Sequence, residues 1–406
     1  MPPASNHYIH KGQPGFWRAG SALFAGAVVT YALLYSVQPI LPTLSADFAV
    51  SPTVASLTLA FSTGALAVCL PIMASLSEAV GRKHLMAFAM AASVALAFAT
   101  AGSSDFPLLL VWRLLQGVAL AGLPAVAMAY VAEEFSPQST GAFMGFYVSS
   151  STIGGLSGRI LTGTVTDAAS WRVAILLLAA MGAAATLWFI VALPRERHFQ
   201  RQPAAFDTLF RGSYAHLREP GLLCLFLTAF LLMGSFFTLY DYLPYLLVAA
   251  PYRLSQAAIG WLFLLNLTGT ASSLLMGRLA DRWGRRPVLP LCILIMMAGM
   301  LLTLVPALPI KLMGVAVTAL GFTGAHSVAS GWVVLRATRH RAQASALYLL
   351  FFYAGTSVIG TLGGVFWTHL GWPGVVGLLM ALVAAALILS GVLVRLGPLP
   401  RPARLT

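Results

Sequence analysis

Three charged side chains stand inside long hydrophobic runs of the sequence. Arg113 and Arg159 lie in the fourth and fifth of these runs, and Asp241 lies in the seventh. If the runs cross a membrane, each charge costs at least about 2.5–3.5 kcal/mol in hydrocarbon and must face a cavity or a partner. Counted from the centres of their runs, all three lie roughly 7–9 Å towards the outer side. Their shared depth predicts a buried polar site.

Asp241 has no acidic counterpart in the first half of the chain. Residues 34–41 (LYSVQPIL) and 239–246 (LYDYLPYL) match at an offset of 205 residues, but Ser36 stands where the second copy has Asp241. A structural need of the fold would more readily appear in both copies, which favours a functional role over a static ion pair. Burial raises the pKa of a carboxyl group and a nearby arginine lowers it, so changing surroundings can move a proton. Asp241 is therefore a candidate for proton coupling.

His326, in the tenth run, is the second candidate for proton coupling. Its unperturbed pKa near 6.5 suits proton transfer at physiological pH. A neutral histidine that hydrogen-bonds a neighbouring helix explains the same residue equally well.

Aromatic and amide side chains accompany these charges. Tyr31, Tyr35 and Gln38 recur at helical spacing on one face of the first run. Singly, such residues pack helices; together they predict an amphipathic cavity with aromatic walls and few polar groups. The cavity candidates are Tyr31, Tyr35, Gln38, Arg113, Gln116, Arg159, Phe237, Tyr240, Asn266, Tyr348, Phe352 and Tyr353.

The hydrophobic runs themselves predict a helical membrane protein. Of the 406 residues, 59% are hydrophobic and 9% are charged, whereas a soluble domain carries about 25% charge. Most runs can cross a hydrocarbon core of about 30 Å as a helix, and the alternation of a barrel strand is absent. The fold class expected is an all-α membrane protein with twelve transmembrane helices, at 19–42, 54–76, 85–102, 107–131, 142–166, 172–193, 222–249, 257–276, 287–305, 310–334, 343–367 and 373–395.

The positive charges predict the orientation of these helices. With the N-terminus inside, all but five of the 24 Lys and Arg residues fall in cytoplasmic segments; the five are Arg113, Arg159, Arg172, Arg253 and Lys311. This asymmetry places both termini in the cytoplasm. It also explains the net charge of +13 without a nucleic-acid partner.

The two halves of the chain repeat each other. Residues 74–83 match 277–286, and residues 153–158 match 359–364, at offsets of 203 and 206. Such parallel repeats predict two six-helix bundles related by a pseudo-two-fold axis, with a substrate site between them. The expected boundaries are a cytoplasmic tail 1–18, a bundle 19–193, a cytoplasmic linker 194–221, a bundle 222–395 and a cytoplasmic tail 396–406.

Each half also carries a G-x-x-x-G spacing. Gly154 and Gly158 form one pair, and Gly360 and Gly364 form the other. Glycines four residues apart predict close approach between helices.

Several motifs resemble the major facilitator superfamily. The loop 277–286 (GRLADRWGRR) follows the superfamily motif G-x-L-A-D-R-x-G-R-R at every position, and 74–83 (ASLSEAVGRK) is a degraded copy. Residues 113–117 (RLLQG) resemble the fourth helix of proton-coupled members, and 145–159 is similar to the fifth helix of the drug:proton antiporter branch. Residues 325–333 and 343–355 look like the YnfM-type subgroup of efflux permeases. The resemblance implies that superfamily's fold and proton-coupled transport.

The loop motif has a physical interpretation of its own. Glycine permits a tight reversal, and an acid beside clustered arginines can form ion pairs that break when bundles rock. Asp281 with Arg282, Arg285 and Arg286, and Glu78 with Arg82, are the expected latches of an outward-open state; anchoring by positive charge is the alternative. The cytoplasmic gate candidates are Glu78, Gly81, Arg82, Gly277, Asp281, Arg282, Gly284 and Arg285.

These features together predict a secondary active transporter that works by alternating access. Proton-coupled efflux of small hydrophobic or amphipathic solutes is the leading interpretation, and proton-coupled import of a small organic anion, with Arg113 and Arg159 as counter-charges, is the alternative. A membrane-embedded enzyme is remote, because no H-E-x-x-H, G-x-S-x-G or Walker motif is present. We expect a monomer in the bacterial inner membrane, with solute, protons and lipid as partners and no cofactor or metal.

Overall fold

The computed structural model describes residues 8–10, 14–199, 201, 214–337 and 341–396, and these are nearly all helical. Within these ranges, β-pairing occurs as an isolated bridge between Ile9 and Phe135. A helix satisfies its backbone hydrogen bonds internally, which suits a chain whose solvent is hydrocarbon.

The first half of the chain forms eight helices over the described residues. They are α1 Pro14–Tyr35, α2 Leu41–Asp47, α3 Pro52–Val80, α4 Arg82–Ala101, α5 Phe106–Leu120, α6 Gly122–Glu134, α7 Pro137–Ala168 and α8 Trp171–Ala192. The second half continues with α9 Pro220–Val248, α10 Gln256–Leu262, a 3₁₀ turn Phe263–Asn266, α11 Leu267–Trp283, α12 Arg285–Leu302, α13 Leu308–Arg336 and α14 Arg341–Arg395.

The predicted all-α membrane fold is confirmed. Ten stretches of the described helices are long and apolar enough to cross a membrane. One of them, α14, bends at Gly371, where φ is 61°, and covers two predicted runs. The run predicted at 142–166 falls on α7, so each of the twelve runs coincides with helix.

Contacts divide the chain into two compact units. The first unit contains the described parts of Met1–Ile40 and Val68–Phe206, and the second contains Leu41–Ala67 and the described parts of Asp207–Thr406. Helix α3 therefore contributes its first half to the second unit and its second half to the first.

Small residues bring helices of the first unit close together. Helix α1 packs against α7 and α8. A Cβ at Gly154 would lie 2.4 Å from the Val28 carbonyl oxygen, and one at Gly158 would lie 2.6 Å from the Ala32 backbone. The predicted close helix approach at this G-x-x-x-G pair is confirmed, and no larger residue fits there.

The second unit is built around α9 and α14, which share its most extensive packing. The segment 41–67 joins them through Ser357, whose hydroxyl donates to the Ala60 carbonyl at 2.8 Å. A Cβ at Gly364 would lie 2.5 Å from the Thr53 backbone, so the second glycine pair also allows close approach.

Glycine interrupts the helices at both copies of the loop motif. Gly81 has φ 106° between α3 and α4, and Gly284 has φ 86° between α11 and α12. A side chain strongly disfavours such angles, which explains why both copies of the motif place glycine there.

Candidate functional site

Arg113 holds the end of α1 in the first unit. Its guanidinium donates to the carbonyl oxygens of Leu33 at 3.1 Å and Leu34 at 2.8 Å. These carbonyls belong to the last turn of α1, where backbone acceptors have no helical partner and a positive charge is favourable. Arg113 is 1% exposed, and its contacts fit a positioning role.

Gln116 extends this arrangement to a third helix. Its amide oxygen accepts from Arg113 at 2.5 Å, and its amide nitrogen donates to the Ser93 carbonyl on α4 at 3.1 Å. The predicted pair of Arg113 and Gln116 on one face of α5 therefore ties α1, α4 and α5 together.

Arg159 organises a second polar cluster in the first unit. Its Nε donates to Gln38 Oε1 at 2.7 Å, and one terminal nitrogen donates to the Gly155 carbonyl at 2.9 Å. The guanidinium carbon lies 4.3 Å from the centre of the Tyr35 ring, a cation–π contact. Tyr31 stacks on Tyr35 with ring centres 6.4 Å apart. We call Tyr31, Tyr35, Gln38 and Arg159 the arginine cluster.

The prediction that Tyr31, Tyr35 and Gln38 share one helical face is wrong for Gln38. Gln38 lies in the turn that follows α1 and not on the helix itself, because α1 ends at Tyr35. Gln38 precedes Pro39, and a residue before proline is disfavoured in the helical conformation. The turn nevertheless directs the amide of Gln38 to Arg159.

Asp241 lies between α9 and α14 in the second unit. Its side chain is 2% exposed. A Cβ at Gly360 would lie 3.2 Å from its Oδ2, and the neighbouring Tyr242 hydroxyl donates to the Gly360 carbonyl at 2.8 Å. The missing side chain at Gly360 thus leaves room for the carboxylate. Sequence reasoning singled out Gly360 for helix packing and missed its place beside Asp241.

His326 lies in an aromatic cluster of the second unit. Its Nδ1 is 2.9 Å from the Tyr348 hydroxyl oxygen, and its ring centre is 4.7 Å from that of Phe352. Tyr353 meets Phe352 edge-on at 5.3 Å. The bond to Tyr348 joins α13 to α14, as expected for a histidine that bonds a neighbouring helix.

The aromatic cluster continues onto α9 through residues that the sequence did not single out. Phe322 stacks on Phe236 with ring centres 4.0 Å apart, Phe236 contacts Tyr240 at 5.0 Å, and Tyr240 stacks on Phe263 at 5.2 Å. Phe236 with Tyr240, and Phe322 with His326, are four residues apart, a helical spacing that could have revealed them. The predicted Phe237 meets Phe236 edge-on at 5.7 Å.

Asn266 ends the 3₁₀ turn that follows α10. Its Oδ1 is buried and has no hydrogen-bond partner among the residues that the structure describes. A buried amide acceptor of this kind favours a partner that is added from outside the protein.

Arg82 pairs with a residue that was not expected. Its guanidinium donates to Glu133 at 2.8 Å and 3.3 Å, and the expected latch of an outward-open state between Glu78 and Arg82 stays a prediction. Gly81 breaks the helix between them, which places Glu78 on α3 and turns Arg82 towards the end of α6.

The loop motif of the second unit forms a weaker ion pair. Asp281 lies 3.6 Å from Arg285, and its side chain is 73% exposed. Arg282 lies in the exposed last turn of α11. Gly277 faces Ser327, whose hydroxyl would lie 3.9 Å from an added Cβ.

A buried ion pair in the second unit was missed from sequence. Arg336 at the end of α13 donates to both carboxylate oxygens of Glu219, at 2.7 Å and 2.9 Å. Glu219 also caps α9 by accepting from the backbone N–H groups of Gly221 and Leu222. Burial raises the pKa of Glu219, but these hydrogen bonds outweigh it and leave the pKa below its ordinary value. Arg336 is the repeat counterpart of Glu133 at the 203-residue offset, with the charge reversed.

Comparison with known proteins places this geometry in context. The sequence profile of the Major Facilitator Superfamily matches residues 23–250 and 225–406. The chain is 43% identical to the MFS-type transporter YybF of Bacillus subtilis over 393 residues, which cover 97% of each chain. It is 41% identical to the inner membrane transport protein YnfM of Escherichia coli over 386 residues, 95% of this chain and 92% of YnfM.

Two solved structures share the fold at low sequence identity. A bacterial homologue of the human lysosomal transporter Spinster, inward-facing and unoccupied, aligns with a TM-score of 0.77 at 14% identity over 95% of this chain and 96% of that chain. The nucleoside transporter NupG aligns with a TM-score of 0.77 at 15% identity, over 92% of this chain and 99% of the NupG chain. At these identities the likeness concerns the fold alone.

Proposed function

This chain belongs to the Major Facilitator Superfamily of membrane transporters, and from that premise we propose that it couples the efflux of a small hydrophobic or amphipathic solute to protons. It is a transporter similar to YnfM and not an enzyme. Efflux, proton coupling and the class of solute belong to the proposal.

The proposal of proton coupling rests mainly on Asp241. It is a buried carboxyl group on a membrane helix, with Gly360 leaving space beside it. An ionised carboxylate is costly in hydrocarbon, and protonation removes that cost. Alternating access changes the contact between Asp241 and water, so the carboxyl can take up a proton on one side and release it on the other.

His326 is the second group proposed to carry protons. Its hydrogen bond to Tyr348 links it to the aromatic cluster, so a proton on His326 changes the polarity of that cluster. Asp241 is the primary candidate because no acid occupies its repeat position, whereas the bond to Tyr348 suffices to explain His326.

The residue types at the candidate site favour a solute with an apolar body and few polar groups. The aromatic cluster supplies stacking surfaces, and Asn266 Oδ1 supplies a hydrogen-bond acceptor. The arginine cluster supplies a positive charge held by Gln38 and Tyr35, and this observation supports import of a small organic anion as the second candidate function.

We further propose a monomer in the bacterial inner membrane with both termini in the cytoplasm. The inner-membrane location is supported by the description of YnfM, and the orientation is supported by the distribution of Lys and Arg. The gate candidates that flank Gly81 and Gly284 would then lie on the cytoplasmic side.

Reconstituted vesicles with an imposed pH gradient test the proposal. We expect an inward proton gradient to drive efflux of a lipophilic cation such as tetraphenylphosphonium, and Asp241→Asn to abolish this dependence. Benzoate that moves inward together with protons would favour the importer. Transport by Asp241→Asn that remains fully proton-driven would exclude the proposed role of the carboxyl group.

A further inference from the structure

The first unit carries a large apolar groove on its membrane-facing surface. Helices α3, α4 and α5 enclose about 530 Å³, a volume within the range of about 300–1,000 Å³ that small-molecule sites occupy. Ala89, Ala92 and Ala119 are the small residues of its lining, and larger apolar side chains such as Leu76, Phe88 and Leu115 stand among them.

The groove has the length of one lipid chain. It runs along α4 from His84 to Leu96, thirteen residues whose ends lie about 18 Å apart along the helix. This is slightly more than half of the hydrocarbon thickness of about 30 Å. Phe88 is 71% exposed, and so large an apolar side chain on a transmembrane helix contacts lipid.

Positive charges surround the end of the groove at the loop between α3 and α4. The Lys83 ammonium donates to the carbonyls of Ile190 and Leu193 at the end of α8, and the exposed Arg195 follows two residues after Leu193. The Arg201 guanidinium donates to the Ala79 carbonyl at 2.5 Å, one residue from Val80 in the groove. Acids also lie in this region: Glu196 beside Gly81, Glu78 in the last turn of α3, and Glu133, which pairs with Arg82.

We propose that this groove binds one acyl chain of an anionic phospholipid, with the headgroup phosphate beside Lys83, Arg195 and Arg201. The acyl chain covers the alanines and the exposed Phe88, and the headgroup lies where basic residues attract anionic lipid. The lining residues of the groove belong to the first unit, whereas Asp241 and His326 belong to the second. The lipid site therefore does not depend on the proposed function.

Native mass spectrometry of the detergent-purified protein tests this site. The probes are phosphatidylglycerol and phosphatidylcholine with identical acyl chains. We expect one phosphatidylglycerol to bind the wild type about tenfold more tightly than phosphatidylcholine, as basic residues near a headgroup provide. Equal affinity for the two lipids would overturn the assignment of the headgroup.

Ala92→Phe tests the groove itself by filling its floor. We expect binding of both lipids to weaken about tenfold, because the new ring displaces methylene groups of the acyl chain from the groove. Ala184→Phe is the matched control, since Ala184 is exposed on α8 outside the groove. Equal lipid affinity of these two variants would overturn the assignment of the acyl chain.

A double variant, Arg195→Gln and Arg201→Gln, gives an independent test. Both residues are exposed and lie outside the helices. We expect this double variant to bind phosphatidylcholine like the wild type and to lose its preference for phosphatidylglycerol. A preference that persists would show that the headgroup does not meet these arginines, and this result stands even if Ala92→Phe fails to fold.

Discussion

At the scale of single residues, the position of the Asp241 carboxylate depends on the absence of a side chain at Gly360. An added Cβ at Gly360 would lie 3.2 Å from Asp241 Oδ2, closer than ordinary van der Waals contact. The carboxylate would have to move by a few tenths of an ångström where α9 packs against α14. Gly360 is therefore a positioning residue for the proposed proton carrier.

We predict that Gly360→Ala slows proton-driven transport by about tenfold, as small displacements of a reacting group do, and changes its pH dependence. Gly377→Ala is the matched control on the same helix, because nothing lies within 4 Å of an added Cβ there. Transport rates in vesicles at several pH values measure the effect. A Gly360→Ala protein that behaves like Gly377→Ala would remove Gly360 from the mechanism.

At the scale of secondary-structure elements, ion pairs fix helix ends differently in the two units. Arg82 and Glu133 join the start of α4 to the end of α6, whereas Glu219 and Arg336 join the start of α9 to the end of α13. Gly221 permits the second pair, since an added Cβ would lie 2.0 Å from Arg336 Nε. The equivalent positions 133 and 336 of the two repeats therefore carry opposite charges, and their ion pairs join different helices.

We predict that Glu219→Ala destabilises the protein by about 1 kcal/mol, because it removes both a helix cap and a partner of Arg336. The pKa of Glu219 in the folded protein lies below its ordinary value of 4.5. Its stabilisation is therefore fully present above that value and is lost as the pH falls through the lower folded-state pKa. Thermal unfolding in detergent between neutral and acidic pH measures this.

Asp281→Ala is a suitable control for Glu219→Ala. Asp281 is 73% exposed and lies 3.6 Å from Arg285, and exposed ion pairs contribute about 0–1 kcal/mol. We expect its unfolding curve to follow the wild type across the pH range. If Glu219→Ala also follows the wild type at every pH, the ion pair with Arg336 does not stabilise the end of α13.

The helices were predictable from sequence because hydrocarbon imposes strict requirements on composition and length. Partners at helix ends were not, since they join residues that are distant in sequence; Glu219 and Arg336 are 117 positions apart. Arg82 likewise meets Glu133, which lies 51 positions further along the chain.

The candidate site was predictable only where the polarity of a residue differs from that of the residues around it in sequence. Asp241, Arg159 and His326 stand out as polar groups in apolar runs, and the structure gives Arg159 the predicted neighbours Tyr35 and Gln38. Phe236 and Phe322 are apolar residues in apolar runs, so composition does not distinguish them. Only the packing of α9 against α13 brings them together.

At the scale of the whole molecule, the two units contribute different side chains to the proposed transport. The first unit holds the arginine cluster and uses Arg113 to fix the end of α1. The second holds Asp241, His326 and the aromatic cluster. Each unit contributes its own polar groups, which supports the proposal that the carboxyl group of the second unit carries the proton.

Proton release on solute binding tests the central claim most directly. The purified protein in weakly buffered detergent, with a pH indicator, receives a solute identified by the vesicle assay; binding is measured separately by calorimetry. We predict that the wild type releases up to one proton per bound solute and that Asp241→Asn binds solute without releasing any. Equal proton release by Asp241→Asn and the wild type would contradict the claim that this carboxyl group couples solute to protons.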